Sequence, residues 1–436
     1  MQQQMPSPQP NTPFMPRMAA VLLPRELLSW SLLAVSLGAL ESGLLGVIVK
    51  NQFSDTASPQ LVNLAVAVVA GAASFTNVLS FFFAARAMGQ GKVLMVSRLM
   101  LILAAALCLA ALMPVSGRGL VGFTALTVTA LACWSGIQIV RSVVWRANYP
   151  RLWRGQITAR ITQLAALLTA VCSASIGIAM SLHGPAWRAM FPVAALCAAV
   201  ASVVYRRSRV RRQRRLLQAE QSHRSSQGGR IRIRSMAAIL RENRDFRRYM
   251  IAMMVFGSGN LMVVAMLVVL MNDRLGLDRL TQVLVTSSVP VLVLCLTVRS
   301  WARVLDRRHI VSYRVVQSWT FVAANAAFAT AMIAGSTVPL WIGSVLLGVA
   351  WGGGLLGWNL GHNDFADDAD ASLFMATHVG LTGLRGLIAP ILGVLVIQWL
   401  EVHSPGRGVY AMVLPLCLTL VGWTLFLRFH LELQRR

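Results

Sequence analysis

Twelve apolar stretches, each close to the length of a bilayer-spanning helix, occupy most of this chain, and an arginine-dense segment from Arg206 to Arg248 divides them six and six. In a bilayer every backbone polar group must be satisfied within its own segment, so an apolar run of about 20 residues is a helix. The stretches run 27–50, 61–84, 93–113, 120–144, 160–182 and 187–205 in the first half. In the second they run 249–271, 281–301, 312–334, 338–361, 372–398 and 407–428, and in this order they are helices 1 to 12. The fold expected is an all-α integral membrane protein, with twelve transmembrane helices in two pseudo-symmetric six-helix bundles. Its parts are a tail over 1–26, a bundle over 27–205, a basic linker over 206–248, a bundle over 249–428 and a tail over 429–436.

Composition agrees with that class. The chain is 56% hydrophobic and 13% charged, with a mean hydropathy of +0.63, more apolar than a soluble surface tolerates. The net charge of +25 gathers between the apolar stretches, so it serves topology, and nucleic acid is not an expected partner. Arginine and lysine concentrate in alternate connections: Arg17 and Arg25, Arg86 and Lys92, Arg146, Arg151 and Arg154, the linker, Arg303 to Arg308, and the C-terminal tail. That bias places both termini and the linker in the cytoplasm. Residues 206–235, with repelling arginines and a Ser/Gln/Gly run, are expected to be largely disordered, and 236–247 to form a surface helix with Met236, Ile239 and Leu240 against the membrane. The six cysteines fall inside predicted spans without C-x-x-C spacing, so no metal site and no cofactor is expected. The first sixteen residues lack the order of a signal peptide, so helix 1 is expected to be retained.

The two halves read as a repeat. Pro24-Arg25-Glu26-Leu27 before helix 1 aligns with Asn243-Arg244-Asp245-Phe246 before helix 7, and at the same offset Gly38 meets Gly257 and Glu41 meets Asn260. Lys92 and Arg98 likewise meet Arg308 and Arg314. Six plus six helices, a long basic linker, duplication and a basic pair of loops between helices 2 and 3 and helices 8 and 9 resemble the Major Facilitator Superfamily over nearly the whole chain. The superfamily's loop pattern, G-x-x-x-D-R-x-G-R-R, is similar to Leu305-Asp306-Arg307-Arg308 and, more loosely, to Ala84 through Lys92, where Arg86 and Lys92 remain and Ala85 replaces the acid. Helix 4 lacks the R-x-x-Q-G run and helix 5 the G-P pair of the drug-efflux branch. The resemblance implies a secondary transporter and assigns a cytoplasmic gate to Arg86, Lys92, Asp306, Arg307 and Arg308. Asp364, Asp367 and Asp368, between helices 10 and 11, are candidates to join that gate by bridging to Arg146, Arg151 or Arg154.

Within the spans so drawn, Glu41 is the one acid, 14 residues into helix 1 and about 20 Å from its start. Arg385 lies at matching depth in helix 11, so the two are expected to converge on a central cavity. His378, two turns earlier on helix 11, extends a polar track. On helix 4, Trp134, Gln138, Arg141 and Trp145 recur at helical spacing as a polar-aromatic stripe that should face the cavity. Asn260, Trp358 and Asn359 are further candidates, and the glycines of helix 10 allow either close packing or a hinge. The function expected is proton-coupled transport of a small solute by alternating access in a bacterial-type inner membrane, by a monomer driven by a proton or other cation gradient. An ionised Glu41–Arg385 pair would instead suit a uniporter or organic-anion carrier. A polytopic membrane enzyme, or a non-transporting assembly or sensory protein, is the rival class; only the loop between helices 10 and 11 clusters acids, and with no metal, nucleophile or nucleotide motif to complete it an enzyme is not expected.

Overall fold

The computed structural model describes residues 17–149, 151–226, 233–366 and 371–435, and every regular element among them is helical. Helix 1 comprises Arg17–Ala39 and Ser42–Phe53, separated by a break at Leu40 and Glu41. Helix 2 runs from Pro59–Phe75 through a 3-10 turn into Ser80–Ala87. Helices 3 to 6 are Lys92–Ala111, Gly117–Asn148, Arg151–Leu182 and Trp187–Arg206. Helix 7 is Arg244–Asp273, and helix 8 runs from Arg279 through a π-helical turn at Leu284–Ser288 to Leu305. Helices 9 to 12 are Ile310–Ala334, Thr337–Leu360, Ala371–His403 and Val413–Arg435.

Eleven of these have the length and apolarity to cross a membrane. Helix 9, the twelfth, is long enough at 25 residues but more polar. Its Arg314, Gln317, Ser318 and Asn325 are each no more than 2% exposed, so the protein interior, not lipid, receives them.

The packing repeats. In the first half helix 1 packs on helices 5 and 6, helix 3 on helices 4 and 6, and helix 2 on helix 4. In the second, helix 7 packs on helices 11 and 12, helix 9 on helices 10 and 12, and helix 8 on helix 10. The halves meet through helices 2 and 11 and, related by the same two-fold pattern, helices 5 and 8. On the side away from the linker the outer part of helix 1 also packs on helix 7. There Lys50 Nζ pairs with Asp273 Oδ2 at 2.7 Å while also donating to Asn63, Asn51 bonds Gln282 at 3.2 Å, and Arg279 donates to the Met180 carbonyl. Among the described residues, helices 4 and 10, which end on the linker side, make no comparable contact. The halves are closed on the far side and parted at helices 4 and 10 near the linker.

The linker departs from expectation. Gln213–Ser226 is helical rather than disordered, because Glu220 accepts hydrogen bonds from Lys92 Nζ (2.6 Å) and the Gly89 amide (2.9 Å) and so ties the segment to the loop between helices 2 and 3. A second helix, Ile233–Glu242, ends before 247 because Asn243 caps helix 7, accepting from the Phe246 amide. Its Ile239 and Leu240 are partly buried and pack against the protein core.

Candidate functional site

Glu41 sits at the break in helix 1. Its carboxylate accepts from the Gly43 amide (2.8 Å), the Leu44 amide (3.4 Å) and the Ser42 hydroxyl, and caps Ser42–Phe53. It also accepts from Ser287 Oγ, on the π-helical turn of helix 8 in the opposite half. The approach is close enough to need glycine at 43, since a Cβ there would run into Thr286 and Ser287. The expected convergence of Glu41 with Arg385 is not found. No ion pair joins them, because Glu41 is committed to the helix break and helix 8 whereas Arg385 Nη1 donates to the Met253 carbonyl on helix 7 and Nη2 to Thr382 Oγ1 at 3.2 Å. Equal depth did not bring them together, because their helices present them to different neighbours.

The first half contains a buried acid that sequence reading missed. Helix 1 starts well before residue 27, so Glu26 lies inside it, fully buried. Trp30 Nε1 (2.6 Å) and Trp145 Nε1 (2.7 Å) both donate to Glu26 Oε2. Arg141, half-buried and within electrostatic reach of Glu26, lies over the rings of Trp145 (4.2 Å), Trp30 (4.5 Å) and Trp134 (5.6 Å). Ring faces and a nearby carboxylate together compensate a guanidinium removed from water. The helix 4 stripe is thus an aromatic cage around its own arginine, with Gln138 half-buried one turn away. The available signal was Glu26-x-x-x-Trp30, four residues apart at the edge of the apolar run.

The second half gathers a different set. Arg385 is 5% exposed and His378 1% exposed, and neither ring nitrogen of His378 has a hydrogen-bond partner. The Trp358 ring lies 5.8 Å from that imidazole, and Trp358 Nε1 donates to Thr382 Oγ1 at 3.3 Å. Arg314, read in the sequence only as a repeat partner of Arg98, is 2% exposed and donates to Gln317 Oε1 (3.1 Å) and Tyr249 Oη (3.4 Å). His362, just beyond helix 10, is buried, and burial holds its pKa below the usual imidazole range. Asn260 is half-buried on helix 7 with its side-chain oxygen unpartnered, whereas Asn359 is exposed and donates back to Leu355 of its own helix. The glycines of helix 10 serve packing. Gly348 faces Pro290 and Val293, Gly353 faces Trp301 and Gln317, and the helix runs unbroken through them.

Of the gate candidates, Lys92 is buried and paired with Glu220, so the linker supplies the acid that Ala85 lacks. Arg86, Asp306, Arg307 and Arg308 are exposed. Asp364 is held within its own half among the described residues. It accepts from the Ile310 amide at 2.7 Å and lies 3.8 Å from His309, capping helix 9 in its own half. Asp367 and Asp368 lie outside the described residues.

The architecture matches solved structures along almost its whole length. It is similar to a D-xylose–proton symporter (TM-score 0.71, 13% identity, 94% of this chain and 98% of that one). It is also similar to a POT family transporter in complex with a thioalcohol-conjugated peptide (TM-score 0.69, 14% identity, 94% and 96% covered). A third likeness is the inward-open xylose transporter XylE from E. coli (TM-score 0.67, 11% identity, 94% and 96% covered). A sequence comparison with curated proteins returns no match. The family profile of the Major Facilitator Superfamily matches residues 28–377, across both halves and the linker, and the chain belongs to that superfamily of membrane transporters.

Proposed function

We propose that this transporter moves a small solute by alternating access, coupled to protons at Glu41, in a bacterial inner membrane with both termini and the linker cytoplasmic. The observation that carries the reading is the bond from Ser287 to Glu41, since it joins the one acid at a helix break to the opposite half of the molecule. An ionised carboxylate can accept from two amides and two hydroxyls at once, whereas a protonated one turns one of those oxygens into a donor. Protonation therefore weakens both the cap of Ser42–Phe53 and the link to helix 8. The proton prefers the state in which those two elements separate, and a ligand shifts a conformational equilibrium through that kind of differential affinity. The arginine bias of the linker side supports the orientation, and the far-side closure corresponds to a state open toward the cytoplasm.

The test is transport in proteoliposomes. Glu41→Gln is expected to abolish accumulation driven by a pH gradient while leaving solute exchange intact. Wild-type accumulation with wild-type pH dependence in that variant would remove Glu41 from coupling. Labelling of Gln218→Cys by an impermeant reagent from outside the cell would invert the orientation.

A further inference from the structure

We propose that Arg314, Arg385 and His378 form a binding site for an anionic group, and that the transported solute is an organic anion whose carboxylate or equivalent oxyanion sits there. The inference rests on the transporter reading and narrows its substrate class.

Elsewhere in this protein, cations withdrawn from water have a carboxylate near them. Lys50 has Asp273, Lys92 has Glu220, and Arg141 has Glu26 within electrostatic reach. In the second half, Arg314 on helix 9 and Arg385 on helix 11 are buried and, among the described residues, meet only neutral acceptors: a carbonyl, a hydroxyl, a carboxamide and a phenol. Each keeps a nitrogen without a partner, Nη2 of Arg314 and Nε of Arg385. His378, two turns before Arg385 on helix 11, lies within electrostatic reach of Arg385, Arg314 and His362. Among the described residues no carboxylate pairs with either arginine; Asp364 is committed to the start of helix 9. An uncompensated charge at such a place costs several kcal/mol, and a bound oxyanion would offset that cost.

The site is also shaped for guanidinium groups. Gly257 on helix 7 lies against the Arg385 guanidinium and leaves no room for a Cβ, and at Gly357 on helix 10 a Cβ would come within 2.7 Å of Arg314 Cζ. Helices 7, 9, 10 and 11 thus give up side chains or supply donors around the same place. Unused N–H groups of planar guanidinium and an unpartnered imidazole suit an oxyanion, which accepts several directed bonds. Trp358, beside His378, offers an apolar wall for the rest of the solute.

The experiment measures thermal unfolding of the purified full-length protein, titrated with acetate, lactate, inorganic phosphate and sulfate at constant ionic strength, with chloride and sorbitol as controls. At least one oxyanion should stabilise the wild type saturably and compete in counterflow exchange. Arg385→Gln should weaken its apparent affinity by about tenfold or more, and Arg141→Gln should not. Should Arg385→Gln fail to fold, His378→Gln and Arg314→Lys carry the same comparison, each with several-fold weakening expected. The proposal is overturned if no oxyanion stabilises the protein, if chloride alone reproduces the whole effect, or if the variants respond as wild type does. The unfolding assay needs no transport, so an inactive proteoliposome would sink the transporter reading alone. Exchange of neutral solutes untouched by every oxyanion would sink the anion site alone.

Discussion

The two halves of this molecule share a packing plan but handle buried charge in opposite ways. In the first, Arg141 lies among three tryptophan faces with Glu26 behind them, and Glu26 is itself held by two indole N–H groups. In the second, Arg314 and Arg385 are buried deeper and, among the described residues, meet only neutral acceptors. A repeated glycine shows how the divergence is built. Gly38 lets helix 1 press on helix 5, where a Cβ would meet Cys172 at 2.6 Å and the Thr169 carbonyl at 2.8 Å. Its counterpart Gly257, at the equivalent contact between helices 7 and 11, makes room for the Arg385 guanidinium instead. One half therefore sets a carboxylate and ring faces around its arginine, whereas in the other no described carboxylate pairs with Arg314 or Arg385.

The largest test of this difference between the halves is Glu26→Gln. It leaves Arg141 without its carboxylate and makes the first half resemble the second, so a loss of roughly 3 kcal/mol is expected in thermal or denaturant unfolding. Glu26→Gln/Arg141→Gln should recover much of that loss. The opposite sign is expected across the pseudo-two-fold. Without added oxyanion, Arg385→Gln removes an uncompensated charge and should leave stability unchanged or raise it by about 1 kcal/mol. A large loss there would show that the Met253 carbonyl already stabilises the guanidinium fully.

Smaller effects follow at the glycines and at the seam. Gly38→Ala should cost about 1–3 kcal/mol through overpacking of helix 1 on helix 5. Gly257→Ala should displace Arg385 and weaken oxyanion stabilisation several-fold, with a smaller loss of unliganded stability. Equal oxyanion response in both alanine variants would erase the distinction between the two glycines. Smallest is Lys50→Gln, which removes the far-side ion pair with the half-exposed Asp273. An effect of about 1 kcal/mol or less translates into a change of up to about fivefold between the two access states. Thiol labelling of Asn359→Cys, at an exposed position of helix 10, should report it as slower modification.

Much of the architecture was legible because the bilayer requires it. Apolar runs located the helices, and even helix 9, with Arg314, Gln317 and Asn325, kept enough apolar length to be recognised. The site was legible in part. Arg385, His378, Trp358 and Arg141, singled out as candidates to face a cavity, are buried or half-buried in the structure, and their partners were not read from the sequence. Depth along a helix follows from counting residues, whereas the direction in which a side chain points follows from packing, so the matched depths of Glu41 and Arg385 did not make a pair. Glu26 was lost for a simpler reason: it sits at the polar edge of an apolar run, where hydropathy alone cannot tell the last tail residue from the first turns of a helix. Glu220 was lost because its segment has no core of its own and becomes helical only against Lys92 and Gly89.

By itself, then, the chain's sequence determined the class, the number of helices, the duplication and the superfamily, since hydrophobic length and the placement of arginine are local properties that the membrane reads directly. Only the tertiary structure decided which charges are compensated. Compensation requires side chains from helices far apart in sequence to come near one another, and in this protein Glu26 lies within electrostatic reach of Arg141 whereas no described carboxylate pairs with Arg314 or Arg385.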